Sequence, residues 1–190
     1  MKEKLRCEWS LKDDLYKEYH DVEWGTPIHD DQKLFEFLVL ESFQAGLSWH
    51  TVLKKRENFR KSFANFDAKK VSKFDRKKFD ELMQDAGIIR NRLKIEAAIN
   101  NANCYLQIQK EFGSFDKYVW SFVGGKTIVN KRKSLKEIPP KTDISDAMSK
   151  DMGKRGFKFR GSTICYAFMQ AVGMVDDHVE HCWKKAKKRG

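Results

Sequence analysis

Long apolar runs are missing from this chain of 190 residues, and with them any candidate for a membrane span, since nothing approaches the ~20 consecutive apolar residues a bilayer requires. The opening Met1-Lys2-Glu3-Lys4-Leu5-Arg6-Cys7 carries no apolar stretch of a signal peptide, which predicts a cytoplasmic protein. Proline is scarce: there are three, two of them adjacent at Pro139-Pro140, so little interrupts a helix. Cysteine numbers four, with no spacing typical of disulfides, and Cys104 and Cys165 read as buried thiols inside helical patterns. No repeat, low-complexity tract or linker divides the chain, so a single domain over 1–190 is expected, with 184–190 as a flexible basic tail. Acidic residues are in deficit, 27 against 38 lysines and arginines, a net charge of +11. That balance favours polyanionic partners, nucleic acid ahead of an anionic membrane, because no basic helix has a clean apolar face.

What the chain does have is apolar residues at helical spacing almost throughout. Asp30 can cap a helix carrying Leu34, Phe35, Leu38 and Phe43 that ends near Gly46, and Ser48 can cap the next, from Trp49 to about Phe59. Asp75 can open a helix with Phe79, Leu82 and Met83 that stops at Gly87. A long helix from about Asn91 to about Phe112 precedes a short one around Phe115 to Phe122. Gly124-Gly125 and Pro139-Pro140 bracket an extended loop with room for a short irregular hairpin at most. Helices from Ser145 to about Lys154 and from Thr163 to about Val172 complete an all-α fold.

Three groups of residues carry possible chemistry. Cys7 and His20 near one end, His178 and Cys182 near the other, are the ligand types of a tetrahedral zinc site that would clamp the two ends together. Spacing alone leaves the alternative open, because His-x3-Cys arises by chance and a lone thiol is usually an apolar filler. The stretch Arg155-Gly156-Phe157-Lys158-Phe159-Arg160-Gly161-Ser162-Thr163 reads as a tight turn between two helices. Its backbone amides and helix N-terminus suit a phosphate, and Lys154, Arg155, Lys158 and Arg160 suit a nucleic-acid backbone; an ordinary helix–helix turn is the rival reading. Finally, Glu41 lies in the most apolar helix, where a carboxylate is costly unless it finds a partner. Gln44 and Trp49 beside it offer an amide and a flat stacking surface, and Trp9, Tyr16, Tyr19 and Trp24 add aromatics, with Tyr16 and Tyr19 on one helical face.

From about Cys7 to about Cys182 the chain resembles bacterial 3-methyladenine DNA glycosylase I, within the helix-hairpin-helix DNA glycosylases. The motifs are Tyr19-His20-Asp21-x-Glu23-Trp24-Gly25, Gln44-Ala45-Gly46-Leu47-Ser48-Trp49 with Thr51-Val52-Leu53-Lys54-Lys55-Arg56-Glu57, Ala86-Gly87-Ile88-Ile89-Arg90, Trp120-Ser121-Phe122 and Arg155-Gly156-Phe157-Lys158-Phe159. The resemblance implies one structural zinc on Cys7, His20, His178 and Cys182, with Glu41, Tyr19 and Trp49 on a flipped base and Tyr16, Trp9 and Trp24 shaping the pocket beside Gln44. It places Gly156, Lys158, Gly161 and Ser162 on the DNA backbone. The expected reaction is hydrolytic excision of 3-methyladenine from alkylated double-stranded DNA by a monomer, with free 3-methyladenine as product and no membrane partner. Ser162-Thr163 stand where lyase-active relatives carry a nucleophilic lysine, so the enzyme is read as monofunctional, with Asp176 and Asp177 as structural residues. His50, and Ser42-Phe43 beside Glu41, depart from the family pattern. A non-catalytic DNA-binding module is the rival; it accounts for charge and turn but not for Glu41 among aromatics.

Overall fold

The computed structural model describes residues 4–185. Helix after helix begins at a short polar side chain that accepts a hydrogen bond from the first turn, which is why the punctuation was readable: Asp30 receives Lys33 N–H, Asp75 receives Lys78 N–H and Asn91 receives Lys94 N–H. The helices are α1 (Asp14–Val22), α2 (Asp31–Gln44), α3 (Trp49–Leu53), α4 (Arg56–Ser62), α5 (Ala68–Val71), α6 (Arg76–Gln84), α7 (Arg92–Phe112), α8 (Phe115–Ser121), α9 (Asp143–Lys154) and α10 (Ser162–Ala171). The core runs along α2, buried on every face from Leu34 to Phe43, with α7, α8 and α10 packed around it.

Several expectations are corrected. The helix from Trp49 to Phe59 is two helices, because the α3 ladder closes at Lys54 and the chain turns at Lys54-Lys55 before α4. α9 starts earlier than Ser145, since Thr142 and Ser145 form a reciprocal capping box. No hairpin forms between Gly125 and Pro139. Instead β1 (Ile128–Val129) pairs in parallel with β2 (Val175–Asp176), so this loop is tied to the segment that follows α10. The basic end is not free where it is described: Lys184 donates to the carbonyls of His20 and Trp24, and Lys185 to those of Asn130 and Asp176. Positions 186–190 of that end lie outside the described residues.

Candidate functional site

The N-terminal and C-terminal segments meet at four side chains. Ligand atoms of Cys7, His20 and Cys182 lie within 4.8 Å of one another, all buried. His178 is not in that trio by distance, but its ring centroid stands 5.0 Å from that of His20. His178 Nδ1 is 2.9 Å from Asp176 Oδ1, and its buried Nε2 has no hydrogen-bond partner among the described residues. His20 is oriented the same way, with Nδ1 2.8 Å from Asp21 Oδ1 and Nε2 3.4 Å from Cys182 Sγ. A carboxylate on each Nδ1 leaves a lone pair on each Nε2, the arrangement found behind metal-bound histidines. The Cys182 thiol is pulled well below the usual thiol range, first by its hydrogen bond with Cys7 and then by that with His20, while Cys7 is pushed up in exchange. Two sulfurs and two imidazoles, one of them with its buried Nε2 unpartnered, make a donor set that suits a zinc ion. The approach is tight enough to require Gly25, at φ +74°, because a Cβ there would lie 2.6 Å from His178 Cε1.

Beside these four side chains lies a cavity of about 380 Å³. Trp24 packs edge-on against His178 and Trp9, at centroid distances of 4.5 and 5.1 Å. Trp9, Trp24 and Tyr19 from the N-terminal segment face Glu41 and Gln44 from α2 and Trp49 from α3 across the cavity. Trp49 is held by Tyr19 at 5.4 Å and by Phe37 in a stack at 6.3 Å. Tyr16 does not line the cavity. It stands behind Trp9, edge-on at 5.3 Å, and against His50 at 4.7 Å. His50 also has its own task, a hydrogen bond from its ring to Asp13, the residue that caps α1.

Two buried polar atoms in this cavity lack partners among the described residues: Glu41 Oε2 and Trp49 Nε1. Burial pushes the Glu41 carboxyl up to about 8 from 4.5. A carboxyl raised this far by desolvation holds its proton at neutral pH until something polar or cationic joins it in the cavity. Leu135, Ile138, Ala167 and Gln170 complete the lining and were not apparent in the sequence. Leu135 and Ile138 come from the loop that β1 ties down through its parallel pairing with β2, together with hydrogen bonds from Asn130 and Arg132 to Asp177. Gln170 is locked by its amide to Asp177 Oδ2 at 2.9 Å. Asp177 also receives Tyr166, Asn130 and Arg132, so its oxygens are committed to structure.

The turn between α9 and α10 is anchored by Phe157, which is buried, and exposes Lys154, Gly156, Lys158 and Gly161. Three successive amides are already used: Gly156 N–H donates to Gly153 O, Phe157 N–H to Met152 O and Lys158 N–H to Asn101 Oδ1. Both arginines are also engaged, Arg155 with Asp151 and Glu111, and Arg160 with Ser149 while lying against Gly153. Amides suited to a phosphate therefore lie at the start of α10, where Gly161 offers no side-chain cap, rather than at Gly156 and Lys158. Ser162 is there too, its hydroxyl 2.8 Å from that of Ser145.

Comparison with known proteins agrees with this geometry. The methyladenine glycosylase family model matches residues 9–185. DNA-3-methyladenine glycosylase of Haemophilus influenzae is 51% identical over 177 residues, covering 93% of this chain and 96% of that protein. A crystal structure of 3-methyladenine DNA glycosylase I superposes with a TM-score of 0.93 at 49% identity, over 96% of this chain and 100% of the other. A tyrosine-to-phenylalanine variant of 3-methyladenine DNA glycosylase I, in complex with 3-methyladenine, superposes with a TM-score of 0.92 at 38% identity, over 96% and 98%.

Proposed function

The chain belongs to the methyladenine glycosylase family, and from that premise we propose that it is a DNA repair N-glycosylase that flips 3-methyladenine out of alkylated double-stranded DNA into the cavity around Glu41 and hydrolyses its bond to deoxyribose. The observation that carries the residue assignment is the pair of orphaned polar atoms, Glu41 Oε2 and Trp49 Nε1, buried in one aromatic cavity. A buried polar group without a partner costs on the order of 1–3 kcal/mol, and a ligand that satisfies it recovers that penalty.

Methylation at N3 makes the purine cationic. When the N9–C1′ bond breaks, its electron pair leaves with the base, which becomes neutral 3-methyladenine. The oxygen of a water then bonds to C1′, and its proton passes to solvent. The leaving group thus needs no strong acid, and the protein's contribution is position and electrostatics. Trp49 gives the purine a flat electron-rich face, Tyr19 and Trp9 close the sides, and Glu41 accepts from the exocyclic amine. A cation against Glu41 lowers its raised pKa, so the carboxylate forms as the charged base arrives. Asp177 is excluded as a general base by its partners, and no lysine stands at Ser162-Thr163, so the enzyme is monofunctional.

The turn between α9 and α10 serves as the hairpin that binds the DNA backbone, with Gly161 and Ser162 at the phosphate and Lys158 beside it. One zinc on Cys7, His20, His178 and Cys182 holds the chain ends together and fixes Trp9 and Trp24, with no open position for substrate. The enzyme works as a monomer in the cytoplasm; among the described residues no helix is long and apolar enough to cross a membrane.

The test is Glu41→Gln. Excision from methylated duplex and binding of free 3-methyladenine should both fall, by about tenfold or more, while affinity for undamaged duplex stays within about twofold. Parental excision by this variant would remove Glu41 from base recognition.

A further inference from the structure

Helix α7 does not line the base cavity, yet two of its buried polar side chains hold both the end of α2, which carries part of that cavity, and the turn between α9 and α10. Lys94 and Asn101 are seven residues apart, on one face of the helix. The Lys94 ammonium, buried in the first turn of α7, donates to the carbonyls of Phe43 at 2.8 Å and Ala45 at 2.5 Å. Those carbonyls end α2, a helix with no basic residue in its last turn, so a cation from another element supplies the C-terminal charge and donors that α2 lacks. The residues fixed this way bracket Gln44 and lie two and four positions beyond Glu41.

Two turns further along, Asn101 makes a reciprocal pair with the backbone of Lys158: Lys158 N–H donates to Oδ1 at 2.8 Å, and Nδ2 donates to Lys158 O at 2.9 Å. Its neighbour Asn100 donates to Gly156 O at 2.9 Å. These bonds fix the turn on both sides of Phe157. They also support Phe159, a non-glycine residue at φ +47°, a conformation that persists only where surrounding contacts impose it. The hydroxyl of Ser42, adjacent to Glu41, donates to Leu38 O at 2.8 Å and also lies 3.2 Å from Phe159 O, which places α2 against the same turn.

We propose that Lys94 and Asn101 are positioning residues. Through α7 they set the register between the base cavity and the turn that holds the DNA backbone, so a flipped base and its flanking phosphate are engaged together. The inference rests on the assignment of that turn to DNA. A base gripped alone needs only the cavity, whereas bond cleavage in a duplex needs both grips, and a misplacement of ~1 Å between them can cost on the order of a hundredfold in rate.

The experiment compares Asn101→Ala, the milder Asn101→Asp and Lys94→Met with the parent full-length protein. It reads single-turnover excision from methylated duplex, affinity for free 3-methyladenine, affinity for undamaged duplex and melting temperature. The expected result is a roughly tenfold to hundredfold loss of excision rate at saturating protein for Asn101→Ala and Lys94→Met, with affinity for the free base within about twofold. Asn101→Asp, which keeps the acceptor and loses the donor, should fall between. The inference is overturned if folded variants excise at the parental rate, or if affinity for the free base falls in proportion to the rate. Gly161→Asp separates the two assignments: unchanged duplex affinity in that variant means that the turn reading has failed, whereas weakened duplex affinity with parental excision by Asn101→Ala means that the register inference alone has failed.

Discussion

Glu41 is costly to the folded protein unless a base is bound. Its unfolded carboxyl loses its proton above about pH 4.5, whereas the folded one keeps it to about pH 8, so between those values the folded chain binds more protons than the unfolded chain. Stability of the ligand-free protein should therefore be greatest below pH 4.5 as far as this group is concerned, and should decline as pH rises through about 8. A buried shift of this size corresponds to the order of a few kcal/mol. Melting curves between pH 5 and 9 should show the decline in the parent and a flatter profile in Glu41→Gln, whose amide carries no proton to lose; parallel profiles would contradict the assignment. The sequence marked Glu41 as anomalous because it directly follows the apolar run Phe37-Leu38-Val39-Leu40. It gave no sign of Gln170 or Ala167, whose apolar and amide side chains look ordinary in α10 and reach the cavity only through tertiary packing.

Among elements, the caps were legible because an N-cap is a local hydrogen bond between a side chain and the amide three residues on. Asp30, Ser48, Asp75 and Asn91 all serve as such caps. The pairing of β1 with β2 was not legible: each strand is two residues long, and their partnership depends on where α10 delivers the chain. The turn between α9 and α10 was half legible. Its glycines and charges located it, but the partners of Arg155, Arg160 and the Lys158 amide lie on α7 and α9. With both arginines engaged, the proposed phosphate contact is left to the first amides of α10 and to exposed lysines. Affinity for duplex should then fall steeply with added salt, and Gly161→Asp should weaken it at every salt concentration by placing a carboxylate at the phosphate. Salt-independent binding, or parental binding by Gly161→Asp, would displace the turn from the interface.

At the scale of the whole molecule, the two ends of the chain meet where Cys7, His20 and Cys182 cluster in the core, and the proposed zinc would hold them there. Metal analysis should find one zinc per folded chain. Cys182→Ala should lose the metal and, with an effect on the order of a few kcal/mol, melt roughly 6–12 °C lower. Because Trp24 lies against His178 and Trp9 against Trp24, the same variant should bind free 3-methyladenine more weakly. Full metal-free stability would break the link between clamp and cavity. With the proposed metal in place, walls fixed from behind would not collapse onto Glu41 and Trp49, whose buried polar atoms lack partners among the described residues. The central claim is that the cavity reads positive charge together with an amine donor on the base. Its most direct test is single-turnover release of bases from methylated duplex by the purified protein. The account predicts rapid release of 3-methyladenine and release of 7-methylguanine, which keeps the charge but presents a carbonyl to Glu41, slower by at least about a hundredfold; comparable release of the two bases would contradict it.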